Sequence, residues 1–260
     1  MKDIFEDEDV DLKNQIIQAN SLGEKIYEDL GEMYQGSKAW FAARMEMFTG
    51  SKYPDLMKGG RGKDQEWGES SYKVIKQVFL ERDLTEEGKE YYIEEMFNKE
   101  FRSTKWGKKW EHVAREEYSL KTGNIVEETC FEVHNLFDFI GGSFDGKVLE
   151  QSKIIEIKCP YDPLNHAANF ELIDTGIDVS HTYYPQIQCN IEVAGADSCD
   201  FISFDPRRKR DRLAIINVPR DQEYIDKMIK RTLIANKAVY YMGLGISTPD
   251  AVLLATKDLQ

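Results

Sequence analysis

Residues 144–160, FDGKVLEQSKIIEIKCP, constrain the fold of this 260-residue chain more than any other segment. The run from Lys153 to Cys159 is rich in β-branched residues and is followed by Pro160, which is typical of a strand that ends there. Gly146 to Leu149 has the pattern of a second short strand, and the polar turn between the two predicts an antiparallel hairpin. Because the flanking segments show helical spacing, the chain is expected to adopt an α/β fold.

The predicted hairpin brings two carboxylates and a lysine together. Glu156 and Lys158 share one face of their strand, with isoleucines on the other, and the pairing places Asp145 opposite residues 156–158, to within about one residue. Hard cations such as Mg²⁺ prefer oxygen ligands of this kind. The pattern predicts a site that holds a divalent cation and cuts phosphodiesters. Solvent-facing strands carry the same residue types, so the spacing alone leaves both interpretations open.

The charge of the chain is unevenly distributed. The net charge is −13, from 47 acidic and 34 basic residues, which argues against a uniformly basic surface for nucleic acid. The basic residues nevertheless form clusters at Lys58 to Lys63, at Lys105, Lys108 and Lys109, and at Arg207 to Arg210. This distribution predicts an acidic exterior with a locally basic cleft, whereas any one cluster taken alone is also typical of a solvated loop or helix face.

The cysteines and the apolar segments predict the cellular setting. The four cysteines form no CxxC pair and no zinc-binding spacing, which predicts reduced, mostly buried thiols. The acidic N-terminal segment has no basic stretch followed by an apolar one, so no secretion signal is predicted. No apolar run approaches the roughly 20 residues that a membrane span needs. We therefore expect a cytoplasmic protein with no membrane partner.

Local patterns divide the chain into three predicted parts. Residues 1–35 are expected to form an N-terminal helical extension, residues 36–245 the main domain, and residues 246–260 a C-terminal tail helix. The main domain is predicted to contain a mixed central sheet flanked by helices. Its predicted helices begin at Ser37 or span 71–80, 85–98, 108–121, 185–194 and 221–241, and its further strands span 125–133, 136–144, 200–204 and 214–218.

Two polar residues on predicted helices are candidates to complete the hairpin site. Glu111 lies on the helix that precedes the sheet and is placed to point along the sheet towards Asp145. Gln186 lies in the first turn of a helix that begins at Pro185, where its amide can bind water or phosphate. Each also has an ordinary explanation, as a solvated helix glutamate and as a polar first-turn residue.

A second group of side chains suits a phosphate. Arg44 lies on an early helix, Ser51 follows the turn at Thr49-Gly50, and Ser143 lies two residues before Asp145. Guanidinium and hydroxyl groups donate hydrogen bonds that match phosphate oxygens. Taken singly, each is also explained as a salt bridge, a cap or a turn residue.

Six segments occur in an order that resembles the lambda-type phage exonucleases, a branch of the PD-(D/E)XK nuclease superfamily that includes the YqaJ-like viral recombinases. They are GSKAWFAARMEMFTGS, FRSTKWGKKWEHVAREEYSLKTG, GGSFDGKV, IIEIKCP, YYPQIQCNIEVAG and FDPRRKRDRLAIINVPRDQEYI. The resemblance extends from about Gly36 to about Lys227. It implies a PD-(D/E)XK nuclease-like core with extra N-terminal helices.

The resemblance also implies roles for individual residues. The implied catalytic set consists of Asp145, Glu156, Lys158, Glu111 and Gln186. The implied cation ligands are Asp145, Glu156 and the backbone carbonyl of Ile157. The residues that match a 5′-phosphate pocket are Arg44, Ser51 and Ser143. One role stays unassigned. The family has a further acidic residue whose position corresponds to Asn135 in this sequence, and the nearest acidic residue is Asp138.

The activity implied by the resemblance is the Mg²⁺-dependent degradation of one strand of linear double-stranded DNA from its 5′ end, with Mn²⁺ as a substitute cation. The expected partners are double-stranded DNA ends, two further copies of the chain in a homotrimer, and a single-strand annealing protein that uses the 3′ overhangs in phage recombination. For a phage-encoded protein the compartment is the host cytoplasm. Two alternatives are an endonuclease of the same fold, specific for a structure or sequence, and an inactive DNA-end-binding recombination scaffold.

Overall fold

The computed structural model describes residues 33–62, 65–99 and 101–259, so most of the predicted extension 1–35 lies outside the described residues. The helices are α1 Lys38–Arg44, α2 Tyr53–Leu56, α3 Glu69–Arg82, α4 Glu86–Asn98, α5 Arg102–Thr122, α6 Pro163–Glu171, α7 Tyr184–Ala194, α8 Gln222–Gly243 and α9 Thr248–Asp258. The strands are β1 Phe48–Thr49, β2 Val126–Glu127, β3 Glu132–Val133, β4 Ile140–Gly142, β5 Gly146–Val148, β6 Lys153–Lys158, β7 Ser198–Phe204 and β8 Leu213–Pro219.

A five-stranded sheet with the order β2-β5-β6-β7-β8 forms the centre of the fold. β6 and β7 run parallel, and the other neighbours are antiparallel, which confirms the predicted mixed sheet. A smaller sheet has the order β1-β4-β3 and contains one parallel and one antiparallel pair. The parallel pair β6–β7 is connected through α6 and α7, as a crossover between parallel strands requires.

The predicted hairpin is present as β5 and β6. Gly146 pairs with Ile155, and the backbone N–H of Asp145 donates to the Ile155 carbonyl at 3.0 Å, so Asp145 lies opposite Glu156. Gly146 allows a close approach of the neighbouring strand, because a Cβ there would lie 2.4 Å from Cγ1 of Val126. The chain therefore carries one carboxylate on each strand at the open end of the hairpin.

Strand β6 is covered on both faces, which fixes the position of its polar residues. On one face Ile155 and Ile157 belong to a buried cluster that includes Ala114 and Tyr118 of α5. On the other face Ile154 joins the main core, which α7 and α8 complete. Glu156 shares the α7 face with Ile154 and is 1 % exposed. Its carboxylate therefore lies in the protein interior and not on a solvated strand.

Several elements differ from the sequence-based expectations. The strand predicted over 125–133 is divided between the two sheets, because Thr129 leaves the ladder and its hydroxyl donates to the Phe144 carbonyl at 2.7 Å. Helix α5 begins six residues earlier than predicted, at Arg102. Helix α6 was not predicted from the sequence; Asp162 caps it by accepting from the N–H of Leu164 at 2.9 Å.

The predicted tail helix is present as α9. It packs along α8, and its residues Ala251, Val252 and Ala255 are buried in the main core. None of the helices in the described ranges is both long and apolar enough to cross a membrane. Of the four thiols, those of Cys159, Cys189 and Cys199 are buried, and all four are unbridged.

Arg231 of α8 anchors the loop between α2 and α3. Its guanidinium is buried and donates to the carbonyls of Leu56 at 2.7 Å, Lys58 at 3.1 Å and Glu66 at 2.9 Å. We expect Arg231→Met to lower the free energy of unfolding by about 2–4 kcal/mol, because the buried carbonyls lose their donors. Urea denaturation measures this change. The neighbouring exposed residue supplies a control, Lys230→Met, for which a change within about 0.5 kcal/mol is expected; equal effects of the two substitutions would contradict the anchoring role.

Candidate active site

A cleft of about 1220 Å³ opens at the end of the β5–β6 hairpin. Asp145, Lys158 and Glu111 line it, together with aromatic residues such as Trp40 and Tyr183. The cleft is therefore the place where two of the predicted carboxylates, those of Asp145 and Glu111, reach a space large enough for a substrate.

Asp145 is held at the floor of the cleft by two donors. Its Oδ2 accepts from the backbone N–H of Ile157 at 2.5 Å, and its Oδ1 accepts from Nε2 of Gln35 at 3.3 Å. The Gln35 amide also donates to the carbonyls of Phe144 at 3.2 Å and Thr129 at 3.4 Å. The side chain of Asp145 is therefore oriented by the strand beside it and by a residue that precedes α1.

Glu156 accepts hydrogen bonds on both carboxylate oxygens. Oε1 accepts from Nζ of Lys158 and, at 2.7 Å, from Nε2 of Gln186, while Oε2 accepts from Nδ2 of Asn190 at 2.9 Å. Gln186 and Asn190 are four residues apart, so they lie on the same face of α7. The prediction that Gln186 reaches the site is confirmed in its position, and its partner is Glu156.

Close packing around Asn190 depends on a glycine from each of two segments. A Cβ at Gly50 would lie 2.6 Å from Oδ1 of Asn190, and a Cβ at Gly142 would lie 2.8 Å from the same atom. Asn190 also donates to the carbonyl of Ser143 at 3.3 Å. Through this one amide, Glu156 is connected to the segment that carries Ser143.

Glu111 belongs to a second set of charges at the wall of the cleft. It pairs with the buried Arg115 at 3.2 Å, and Arg115 also forms an ion pair with Glu128. Burial raises the pKa of Glu111, and the negative charge of Asp145 adds to this effect. Glu111 and Asp145 both line the cleft, and Glu111 is paired with Arg115.

The acidic cluster has an excess of negative charge. Burial raises the pKa of Glu156; Lys158 opposes this shift and Asp145 adds to it. Burial alone would lower the pKa of Lys158, but the charges of Glu156 and Asp145 outweigh it and hold that pKa above its usual value. Lys158 is thus a stable cation at neutral pH, and it does not compensate every carboxylate around it.

The residues present fit a hard divalent cation. Their oxygens are the donor type that Mg²⁺ prefers, and a bound cation would oppose the burial and the repulsion by Asp145 that together raise the pKa of Glu111 and Glu156. In the described part of the chain, no three acidic, histidine or cysteine side chains converge as a complete ligand set. A cation would therefore be held by few protein ligands and would keep several waters, as Mg²⁺ usually does.

The three residues predicted to bind a phosphate, Arg44, Ser51 and Ser143, also lie together. Arg44 donates from Nη1 to Oγ of Ser143 and from Nη2 to Oγ of Ser51, both at 2.8 Å. Its guanidinium lies over the ring of Trp40, with Cζ 3.9 Å from the ring centroid, and Nε1 of Trp40 donates to Ser143 at 3.0 Å. Burial lowers the pKa of Arg44 to about 10, and the nearby charge of Glu156 opposes this shift, so the guanidinium remains cationic.

Three residues of the site were missed by the sequence argument, namely Gln35, Asn190 and Glu128. Asn190 had a usable signal, since it follows Gln186 by four residues on the predicted helix. Gln35 ends the predicted N-terminal extension, and Glu128 lies in the middle of a predicted strand, so the local pattern connected neither position to the hairpin. Asn135 and Asp138 were the two positions considered for the unassigned acid. Both are exposed and absent from the lining of the cleft, whereas Glu128 lines it.

Known structures share this fold. An alkaline exonuclease (LHK-Exo) from Laribacter hongkongensis is 23 % identical, with a TM-score of 0.61 over 85 % of this chain and 97 % of that chain. The same exonuclease in complex with dAMP is 25 % identical, with a TM-score of 0.62 over 79 % of this chain and 96 % of that chain. A phage related exonuclease from Haemophilus somnus 129PT is 16 % identical, with a TM-score of 0.58 over 76 % and 95 %.

The mixed sheet, the flanking helices and the neighbours together define a protein with the phage-exonuclease fold, consistent with a PD-(D/E)XK-like core. Residues 39–197 match the model of one sequence family over more than half of the chain, and the chain belongs to that family, the YqaJ-like viral recombinase domain. No curated protein sequence gives a significant match.

Proposed function

We propose that the protein is a Mg²⁺-dependent exonuclease that degrades one strand of linear double-stranded DNA from its 5′ end and leaves 3′ overhangs for phage recombination. The observation that carries this proposal is the proximity of two groups. Asp145, Glu156 and Lys158 converge at the end of the hairpin, and Asn190 connects Glu156 directly to Ser143 of the Arg44 group. The three similar structures described above are exonucleases, which supports the reaction class.

In the proposed reaction, Asp145 and Glu156 hold the cation together with the carbonyl of Ile157. When bound, Mg²⁺ supplies Lewis-acid activation of the scissile phosphate and of the attacking water, and Mn²⁺ is its expected substitute. Lys158 stabilises negative charge on the phosphate, because its raised pKa keeps the ammonium protonated. Gln186 fixes the orientation of Glu156 through the 2.7 Å hydrogen bond.

Arg44, Ser51 and Ser143 supply the proposed preference for an end. The guanidinium donates to both hydroxyls, and a 5′ phosphate would bring acceptor oxygens to the same donors. A strand end held there would place the next phosphodiester near Asp145 and Glu156. A homotrimer that encloses the DNA and a single-strand annealing protein complete the proposal, and both rest on the family resemblance.

The proposal is tested with linear 5′-phosphorylated duplex and covalently closed circular DNA of the same sequence. We expect release of mononucleotides from the linear DNA with Mg²⁺, no release with EDTA, and no nicking of the circle. Nicking of the circle at a comparable rate would favour the endonuclease alternative. If the parent protein released no nucleotides with either Mg²⁺ or Mn²⁺ and Asp145→Ala bound DNA ends normally, the protein would be a scaffold.

A further inference from the structure

We infer that the loop between β7 and β8, residues 205–212, binds the phosphate backbone of the DNA duplex that enters the cleft. We call these residues the basic loop; its sequence is DPRRKRDR. The inference rests on the proposed function, since it assigns the contact for the duplex part of the same substrate. Two observations support it. Arg207 of the loop is fixed by its partners, and the next three residues are basic and exposed.

Arg207 fixes the basic loop to the rim of the cleft. It forms two hydrogen bonds with the fully buried Asp205, at 2.7 Å and 3.0 Å, and its guanidinium lies over the ring of Trp106, with Cζ 4.5 Å from the centroid. It also donates to the carbonyls of Tyr161 at 3.0 Å and Pro160 at 3.2 Å. The donors of Arg207 are thus occupied within the protein, and this residue holds the loop in position.

The three residues after Arg207 have no comparable partners. Arg208, Lys209 and Arg210 are exposed, and none of them forms an ion pair with another described residue. Farther along the loop, Arg212 is paired with Glu117. Three adjacent cations thus remain uncompensated on a chain whose net charge is −13. Like charges at this spacing repel one another, and a polyanion relieves that repulsion.

The basic loop lies next to the reacting centre. Pro160 and Tyr161, to which Arg207 is bonded, both line the cleft. They follow Lys158 by two and three residues, so the chain can separate them from it by no more than about 7–11 Å. A DNA strand bound at Lys158 therefore passes within reach of long side chains on the loop.

The composition of the loop favours duplex over single-stranded DNA. Proteins that hold single strands combine positive charge with aromatic side chains on which bases stack. Residues 208–210 contain no aromatic side chain, so they offer donors for phosphates but no ring on which a base can stack. Phosphate contacts without base contacts suit a paired duplex, whose bases are already stacked and whose sequence varies as degradation proceeds.

The test replaces the three exposed cations together, as Arg208→Gln, Lys209→Gln and Arg210→Gln. Binding of a short 5′-phosphorylated duplex is measured by fluorescence anisotropy in EDTA, between about 50 and 200 mM salt. We expect the magnitude of the slope of log K, the association constant, against log salt to decrease by about 2–3, since each phosphate contact contributes about 0.9. The affinity at the lower salt should fall at least about tenfold. The matched control replaces three exposed lysines that lie on α8 and α9 and not in the basic loop, Lys227, Lys230 and Lys257.

An unchanged slope, or an equal decrease in the control variant, would overturn the inference. A larger loss on single-stranded DNA than on the duplex would also overturn it, because the loop would then hold the separated strand. Failure of the proposed function gives a different result, which is the absence of nucleotide release by the parent protein with Mg²⁺ on linear DNA. Binding in EDTA and release with Mg²⁺ therefore report on the two proposals separately.

Discussion

Glu156→Gln is expected to reduce nucleotide release by at least about 10²–10³-fold while the chain still folds. The substitution preserves the volume of a side chain that is 1 % exposed, so the core around it stays filled. It removes the negative charge that would hold the cation. It also replaces one acceptor oxygen by an NH₂ group, which cannot accept from Lys158, Gln186 or Asn190. Two effects on the site follow, loss of a charged cation ligand and loss of an acceptor for at least one of these three donors.

This result is measured as acid-soluble nucleotide released from linear 5′-phosphorylated duplex, alongside thermal unfolding. The matched control is Glu127→Gln on β2 of the same sheet, which is exposed and should leave the rate within about twofold of the parent. The assignment of Glu156 would be wrong if both variants were equally active. If Glu156→Gln did not fold, its thermal scan would show this. The same centre would then be tested with Lys158→Met, since Lys158 lies at the edge of the core.

Arg44→Ala is expected to slow degradation of 5′-phosphorylated ends by about 10–100-fold and to affect 5′-hydroxyl ends little. Hydrogen bonds to a charged group contribute about 1.5–3 kcal/mol, which corresponds to that range in rate or affinity. Arg44→Lys keeps the charge but cannot span Ser51 and Ser143 as the planar guanidinium does, so it should recover only part of the loss. The measurement is the ratio of initial rates on the two kinds of end.

An exposed arginine outside the cleft provides the comparison for Arg44. Arg61→Ala removes the same charge from the surface and should leave the ratio of rates unchanged. If Arg44→Ala slowed both kinds of end equally, Arg44 would act on the fold or on DNA in general, and the 5′-phosphate pocket would have to be placed elsewhere.

The sequence predicts the central part of this site well because the chemistry lies on regular elements. Asp145, Glu156 and Lys158 belong to one hairpin, whose period of two and local pairing follow from adjacent residues. Gln186 lies in a first turn marked by proline. For these residues the spacing in the sequence corresponds directly to positions in space.

The remainder of the site depends on tertiary contacts that have no local pattern. Gln35 reaches Asp145 across 110 positions of sequence, and Arg44 reaches Ser143 across 99. Side-chain chemistry suggested the Arg44 group, and the resemblance to a known family gave it the role of a 5′-phosphate pocket, since no periodicity connects its members. For Gln35 and Glu128 no signal was available, because each lies in an irregular segment whose course is determined by the packing of other elements.

The contacts of Gln35 show that the active site includes a residue that precedes α1. A chain shortened to start at Gly36 would retain the sheet and the helices that cover it, but it would lose the amide that holds one oxygen of Asp145 together with the carbonyls of Phe144 and Thr129. Such a truncation would therefore loosen Asp145 without touching the sheet, and any attachment joined directly ahead of Gly36 would enter at the cleft, which Gly36 lines.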